Sequence, residues 1–266
     1  MQEARAIQPA LIRVPVNPFS PEAIMRQYGL TRLPTQDELP CSDGEPMETN
    51  YHVLQMYLLI EALNLHWRER DDVFVGGNMF VYFSPTQSRT EDYRGPDFFV
   101  VQGVKHRTRK SWVVWEEGGK APDVVIELLS DTTAHKDRNE KKLVYQDKLR
   151  VPEYFLFDPI NGDFEGFRLR AGVYEPIQPD ERGRLVSEQC QLALVPRKGV
   201  FNKQTWLWLR CETLSGELLP TAEEHFLRAA EAAQSATATA KRAAQRNAKL
   251  EAELAQYRKQ FGALPE

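Results

Sequence analysis

Residues 95–101 read GPDFFVV and residues 121–148 read APDVVIELLSDTTAHKDRNEKKLVYQDK, and these two stretches decide the fold. Each contains a Pro-Asp pair followed by a nearly unbroken apolar run, FFVV in the first and VVIELL in the second. Such runs are typical of central strands that are covered on both faces of a sheet. The second run leads into a polar helical stretch with candidate N-caps at Asp131, Thr132 and Thr133. We therefore predict two central strands and a helix directly after the second.

Further strands are predicted around this pair. Residues 73–83, 110–117 and 153–158 are β-branched and aromatic stretches bounded by glycine, proline or charged residues. The helix lies between two of the predicted strands, which favours one right-handed crossover. From Gly162 to about Leu209, short strands alternate with turns and predict an antiparallel extension. The two glycines at 76–77 indicate a bulge or a close approach of two backbones. The pattern is that of an α/β fold with a mixed sheet flanked by helices.

One amphipathic helix is predicted before the first strand, within residues 47–72. Its apolar residues recur at steps of three and four, which indicates one broad buried face. The residues of this predicted face are Val53, Met56, Tyr57, Ile60, Leu63 and Trp67.

The two ends of the chain differ from this central part. Residues 1–46 are rich in proline and predict an extended arm, with a short helix from Pro21 to Tyr28. The folded domain is then expected over residues 47–215. Residues 221–262 predict an Ala-rich coiled-coil helix, because a 3-4 spacing places one continuous seam on it. A single solvated helix stabilised by alanine propensity is the alternative. The seam positions are Phe226, Ala229, Ala233, Ala236, Ala240, Ala243, Asn247, Leu250, Leu254, Tyr257 and Phe261.

Composition narrows the class of protein. The 266 residues include 34 basic and 38 acidic side chains, and a net charge of −4 gives no global attraction to nucleic acid or to anionic membranes. The three cysteines are widely spaced and form neither a disulfide framework nor a metal box. Because there is no signal peptide and no apolar run long enough to span a membrane, we expect a cytoplasmic protein without a membrane partner.

Asp97 and Glu127 are the candidate metal ligands. Hydrolysis of a phosphodiester is assisted by a divalent ion that neutralises the phosphate oxygens and lowers the pKa of the attacking water. Mg²⁺ binds through a few carboxylate oxygens, so two acids suffice, and Mn²⁺ can substitute. Glu127 interrupts an apolar run, and a buried carboxylate needs a cation or strong donors. The alternatives are a strand-end Glu127 paired with an arginine and an Asp97 that only begins a turn. Asp123 lies four strand residues from Glu127, about 13 Å away, and fits a turn or capping role.

Lys141 is the candidate for the positive charge. The helix after Glu127 places Asp137, Lys141, Tyr145 and Lys148 on one face, and Lys142 points away from it. Because this helix packs over the strand that carries Glu127, Lys141 could stabilise the charge that develops on a phosphate. A solvated surface lysine is the alternative.

The region from Asp97 through Pro159 resembles a known family. Its stretches GPDFFVV, PDVVIELLS, DRNEKKLVY and VPEYFLFDP look like those of the Uma-type restriction endonuclease family, within the PD-(D/E)xK nuclease superfamily. The similarity extends over roughly residues 40–210. It implies a restriction-endonuclease-like fold, with Asp97 and Glu127 as the acids of the site. The superfamily's lysine two positions after the second acid is replaced by Leu129, so the resemblance implies that Lys141 takes this role.

The resemblance also implies a substrate and partners. We expect a metal-dependent endonuclease that cleaves DNA, with Glu48 or Glu61 as an additional acid from the first domain helix. The loop KHRTRK at 105–110 is a candidate DNA contact through Lys105, Arg107, Arg109 and Lys110. A homodimer through the C-terminal helix would bring two sites together. The alternative is an inactive module that binds nucleic acid or serves in assembly.

Overall fold

The structure is a computed structural model, and it describes residues 17–41, 49–85, 93–130 and 133–262. The helices are α1 (Pro21–Tyr28), α2 (Asn50–His66), α3 (residues 134–149) and α4 (Ala222–Phe261). The strands are β1 (Val73–Gly76), β2 (Val81–Tyr82), β3 (Tyr93–Arg94), β4 (Phe98–Gln102), β5 (Trp112–Val113), β6 (Val124–Leu128), β7 (Glu153–Phe157), β8 (Phe164–Arg170), β9 (Val173–Pro176), β10 (Leu185–Ser187), β11 (Leu192–Phe201) and β12 (Gln204–Thr213).

The main sheet has six strands in the order β1-β4-β6-β7-β8-β9. Strands β6 and β7 are parallel and joined through α3, and every other neighbouring pair in this sheet is antiparallel. Two three-stranded sheets accompany it, in the orders β10-β11-β12 and β3-β2-β5. The predicted α/β fold with a mixed sheet flanked by helices is confirmed, as is the antiparallel extension after Gly162.

The two predicted central strands are covered on both faces, as their continuous apolar runs require. Alternate residues of a strand point to opposite faces, so Val124, Ile126 and Leu128 pack in the core beneath α2. Val125 and Leu129 pack in a second core that includes side chains of α3. Glu127 shares the phase of Val125, and its side chain therefore lies on the α3 side of the sheet.

The face predicted to be buried on α2 is wrong in part. Tyr57 is 54% exposed, and the residues buried most deeply on this helix are Leu58, Leu59 and Ala62. The helix is apolar around most of its circumference, so periodicity alone could not select the face. Gln55 is completely buried as well, because its side-chain amide bonds to both backbone groups of Leu209 in β12, at 2.8 and 3.0 Å.

The described part of the predicted arm, residues 17–41, contains α1 and contributes Ile24 and Leu39 to a small core on the β3-β2-β5 sheet. Helix α1 begins after Ser20, whose hydroxyl accepts a bond from the amide of Ala23. The rest of the arm lies outside the described residues.

The chain divides into two compact units at Leu219 and Pro220. The second unit is α4, a continuous helix of 40 residues that starts with a capping box between Thr221 and Glu224. Of the helices that the structure describes, none has both the length and the apolar character needed to span a membrane.

Candidate active site

The register between β4 and β6 places Asp97 beside Glu127. Phe98 lies opposite Ile126 in this antiparallel pair, so the residues just outside that pair are neighbours on the α3 face. The amide of Asp97 donates to Oε2 of Glu127 at 3.4 Å, and the amide of Leu128 donates to Oδ2 of Asp97 at 2.8 Å. The structure therefore brings the two predicted acids together.

The glycine pair at 76–77 holds the backbone of Asp97 from the other side. A Cβ on Gly77 would overlap the carbonyl oxygen of Asp97 and approach Met56. The next amide, that of Asn78, donates to the carbonyl oxygens of Pro96 and Asp97 at 3.1 and 3.2 Å. The predicted close backbone approach is thus confirmed, and it fixes the chain where Asp97 enters the site.

Helix α3 delivers a lysine and a tyrosine to Glu127. The Nζ atom of Lys141 lies 3.1 Å from Oε2 of Glu127 and 2.7 Å from Oδ1 of Asp137. The hydroxyl of Tyr145 donates to Oε1 of Glu127 at 2.8 Å, and the hydroxyl of Tyr154 donates to the backbone carbonyl of Asp137 at 3.0 Å. Each carboxylate oxygen of Glu127 therefore has a side-chain donor from the helix.

The predicted helix face is confirmed for Asp137, Lys141 and Tyr145 but not for Lys148, which is exposed. The reason is that α3 is π-helical over Asp137–Lys141 and Val144–Leu149. These wider turns, which occur frequently at functional sites, change which residues align after two turns. Lys142 points away as predicted, with its ammonium 3.3 Å from the ring centre of Phe167.

The cluster opens to solvent on one side. The side chains of Glu127 and Asp137 are 0% and 1% exposed, whereas that of Lys141 is 17% exposed. Asp97 is half-buried. The cluster is therefore accessible from the side of Asp97 and Lys141, and Glu127 and Asp137 lie beneath them.

The electrostatics reflect three carboxyl groups around one ammonium. Burial raises the pKa of Glu127 to about 8, and the charges of Asp97 and Asp137 add to this rise against the opposing effects of Lys141 and Tyr145. Burial also raises the pKa of Asp97, although Lys141 and the bond from Leu128 oppose it. Burial alone would lower the pKa of Lys141, but the carboxyl groups of Glu127, Asp137 and Asp97 outweigh it and raise that pKa.

This donor set fits a divalent cation. Carboxylate oxygens are the ligands that Mg²⁺ and Mn²⁺ prefer, and Asp97 and Glu127 present them side by side with negative charge that Lys141 alone does not balance. Over the part of the chain that the structure describes, three or more His, Cys, Asp or Glu side chains do not form a preformed metal cage. The fit therefore rests on the two acids alone, and water would have to complete the coordination of a bound ion.

Comparison with known proteins identifies the family of this chain. The model of the Uma2 family, described as "Putative restriction endonuclease", matches residues 30–194, more than half of the chain. The chain belongs to the Uma2 family. No curated protein matches it. Among solved structures, it is similar to a protein from Anabaena variabilis ATCC 29413 described as a "putative nuclease belonging to DUF820", at 18% identity and a TM-score of 0.39. That match covers 59% of this chain and 90% of the other.

The resemblance read from the sequence is thus confirmed, and membership of the Uma2 family supports a nuclease that acts on nucleic acid. The matched range includes Asp97, Glu127, Asp137, Lys141 and Tyr145. It also includes Leu129, which is buried in the core of this Uma2 protein, so the strand offers no lysine two positions after Glu127.

Of the two predicted additional acids, Glu48 lies outside the described residues. Glu61 lies on α2, about 13.5 Å along the helix axis from His52 at 1.5 Å per residue. It is His52 that α2 brings to the site, because its Nε2 atom is 3.2 Å from the carbonyl oxygen of Leu128. Periodicity gave no signal for His52, since a lone histidine on a buried helix face is usually structural.

The four basic residues predicted to contact DNA differ in their exposure to solvent. The side chain of Arg109 is 1% exposed and lies over the rings of Phe74 and Trp112, where it is paired with Glu117 at 2.7 Å. This position makes Arg109 a structural residue, and its prediction as a DNA contact is wrong because its guanidinium does not face solvent. Lys105, Arg107 and Lys110 are exposed and stay predicted contacts, although Arg107 pairs with Glu117 and Lys110 with Asp37.

Asp123 has the capping role expected of it. Its carboxylate accepts a bond from the amide of Gln102 at 2.6 Å, at the end of β4 remote from Asp97. The second Pro-Asp pair therefore joins the ends of two strands and is separate from the acid cluster.

Proposed function

We propose that this Uma2 protein is a metal-dependent endonuclease that hydrolyses DNA phosphodiester bonds. One observation carries the proposal, namely that Asp97, Glu127 and Lys141 come from three separate elements and meet at one solvent-accessible point. The side chains are those that phosphodiester hydrolysis needs, and burial of Glu127 within a strand has no structural benefit that an apolar residue would not supply better.

The two acids would hold the cation, Asp97 from the half-buried start of β4 and Glu127 from beneath. A bound Mg²⁺ or Mn²⁺ supplies charge neutralisation at the phosphate and lowers the pKa of water. The bond from the amide of Leu128 fixes the carboxylate of Asp97, and the hydroxyl of Tyr145 orients that of Glu127. Both acids are therefore positioned before a substrate arrives, which is what a preorganised site requires.

Lys141 would stabilise the charge on the phosphate as it develops. Its ammonium stays protonated, because the neighbouring carboxyl groups raise its pKa despite burial. Asp137 holds the ammonium at 2.7 Å and aims it at the acids. Tyr154 bonds to the backbone of Asp137 and ties this turn of α3 to the sheet.

The test is cleavage of supercoiled plasmid and of single-stranded DNA in Mg²⁺ and in Mn²⁺. We expect Asp97→Ala, Glu127→Gln and Lys141→Ala each to lower the cleavage rate by about 100-fold or more, since one lost electrostatic contact to a transition state costs that much. Lys142→Ala is the matched control, because Lys142 is the adjacent lysine on the same helix and points toward Phe167.

Equal rates for the wild type and the three site variants would contradict the proposal. Calorimetry distinguishes the alternative of an inactive binding module. If Mn²⁺ binds the wild type and not Glu127→Gln, yet neither protein cleaves DNA, the site binds metal without turnover.

We further propose that α4 pairs with a second copy of the chain, as the seam in the sequence suggests. Three large apolar seam residues are exposed on α4, as a helix that pairs with a partner helix requires: Phe226, Leu250 and Leu254. A monomeric mass in solution would rule this pairing out. The cytoplasm remains the proposed compartment, in keeping with three free cysteines.

A further inference from the structure

A cleft of about 640 Å³ lies beside the acid cluster, between the first turns of α2, the end of β6 and the start of β12. Its volume is in the range of small-molecule sites. The described residues that line it include none with a charged carboxylate, ammonium or guanidinium group. The lining is mostly aromatic and apolar, and its polar side chains include Asn50, Ser130 and Gln204.

The cleft and the proposed active site involve neighbouring residues at the end of strand β6. Leu129 and Ser130 line the cleft, and they directly follow Glu127 and Leu128 in the chain. The backbone of Leu128 connects the two places, because its amide donates to Asp97 at 2.8 Å and its carbonyl oxygen lies 3.2 Å from His52 of the cleft. The backbone of this one residue therefore contacts both the acid cluster and the cleft.

A rigid aromatic surface forms one side of the cleft. The ring of Tyr51 stacks on Trp206 at 4.8 Å and on Trp208 at 5.1 Å, with interplanar angles of 22° and 8°. The hydroxyl of Tyr51 is bonded to the backbone of Leu207, and the indole nitrogen of Trp208 is bonded to that of Gly199. Trp208 is buried, whereas Trp206 is 43% exposed. The open indole is therefore held in place and available for stacking.

We propose that this cleft receives an unstacked nucleobase from the strand whose phosphate lies at the acid cluster. A largely aromatic lining without ammonium or guanidinium groups favours a flat heterocycle over a phosphate, and the amide and hydroxyl groups of the lining match the polar edge of a base. The inference rests on the proposed function and names its substrate class, which is nucleic acid with unpaired bases. A base stacked inside a duplex cannot enter the cleft without first leaving the stack.

The test is fluorescence anisotropy with labelled oligonucleotides in Ca²⁺, with their integrity checked on a gel. The probes are a single strand, the blunt duplex of the same sequence, and a strand of the same length that carries abasic sites. We expect Trp206→Ala to weaken binding of the normal single strand by about 5- to 100-fold, the worth of one base–aromatic stack. Trp206→Phe should keep most of the affinity, because it retains a flat ring.

Binding of the duplex and of the abasic strand should be the same for the wild type and Trp206→Ala. Tyr57→Ala is the matched control, since Tyr57 is an exposed aromatic residue of α2 outside the cleft. Circular dichroism before each titration verifies the fold of every variant.

The results separate this inference from the proposed function. If Trp206→Ala weakens all three probes equally, or weakens none while the wild type still cleaves DNA, the base site is wrong and the nuclease stands. If the wild type binds no nucleic acid of any kind, both proposals fall.

Discussion

Glu127 and Glu153 lie on the neighbouring parallel strands β6 and β7, and both are completely buried. Their surroundings are opposite. Glu153 accepts bonds from Arg168 at 2.9 and 3.0 Å, from the amide of Glu188 at 2.8 Å and from the hydroxyl of Ser187. Arg168 also pairs with Glu188 at 2.9 Å, and Glu188 pairs in turn with Arg170 at 2.9 Å. Two arginines thus balance two acids here, and fixed donors complete the bonds of Glu153.

Glu127, by contrast, shares its lysine with Asp137 and lies beside Asp97. It also lies near the carboxyl end of its strand, whereas Glu153 is the first residue of its own. Ligands of α/β sheets bind outside the carboxyl ends of parallel strands. Burial alone therefore does not distinguish a candidate site acid from a structural one. The balance of charge around the carboxylate and its position along the strand do distinguish them.

The largest expected effect is on the structural member of the pair. We expect Glu153→Ala to lower the free energy of unfolding by about 3–5 kcal/mol, because it leaves Arg168 and several buried donors without their acceptor. Urea denaturation followed by circular dichroism measures this loss.

Glu127→Ala serves as the counterpart, since it removes a carboxylate from a group of three around one lysine. Its loss of stability should be clearly smaller than that of Glu153→Ala. Equal losses for the two variants would mean that both glutamates are structural, which would contradict the difference in role between Glu127 and Glu153.

The second prediction concerns how the free energy of unfolding depends on pH because of Glu127. The pKa of this group is about 8 in the folded protein and about 4.3 in an unfolded chain. Between these values the folded protein binds the extra proton, so its free energy of unfolding falls as the pH rises. Glu127→Gln has no proton to lose and should show a flatter dependence. In metal-free buffer we expect the free energy of unfolding of the wild type to fall relative to that of Glu127→Gln by about 1.4 kcal/mol per pH unit inside this window.

Urea titrations of both proteins at several pH values between about 5 and 8 measure the difference. Added Mn²⁺ should reduce it, because a bound cation favours the ionised carboxylate. Parallel curves for the wild type and the variant would show that Glu127 is ionised throughout, and its distinction from Glu153 would then lie in position alone.

Much of this arrangement was predictable from the sequence because the signals are local. The runs FFVV and VVIEL are continuous and β-branched, so both central strands were evident. Asp97 and Glu127 were evident as well, since their chemistry contradicts the apolar stretches beside them. Lys141 followed from helical spacing together with the family resemblance.

The remaining features depend on contacts between distant parts of the chain. The π-helical turns of α3 remove Lys148 from the site face, and residue propensity does not encode such turns. The pairing of Arg109 with Glu117 depends on how a loop folds back over Phe74. Similarly, the cleft depends on the stacking of Tyr51 on Trp206, which lies more than 150 positions away in the chain. Hydrophobic periodicity of two or 3.6 residues does not predict such a long-range contact.

The smallest effect tests a third glutamate that should behave like Glu153. Glu117 is 8% exposed and pairs with Arg109 at 2.7 Å and with Arg107 at 2.6 Å. Burial alone would raise the pKa of Glu117, but the bonds and charges of Arg109 and then Arg107 outweigh it and lower that pKa. The stability that this ionised group contributes is therefore present above the unfolded value of about 4.3 and is lost as the pH falls through the lower folded value.

This dependence is opposite in sign to that of Glu127. We expect Glu117→Gln to cost about 1 kcal/mol at neutral pH, and the cost should shrink toward zero in acid. Thermal unfolding at pH 7 and near pH 3 measures both values. Glu38→Gln is the matched control, since Glu38 is also paired with an arginine, Arg32, but is exposed and should matter much less. If the cost of Glu117→Gln instead grew in acid, Glu117 would have the same pH dependence as Glu127. Pairing with arginine would then not explain why some buried acids of this protein are structural.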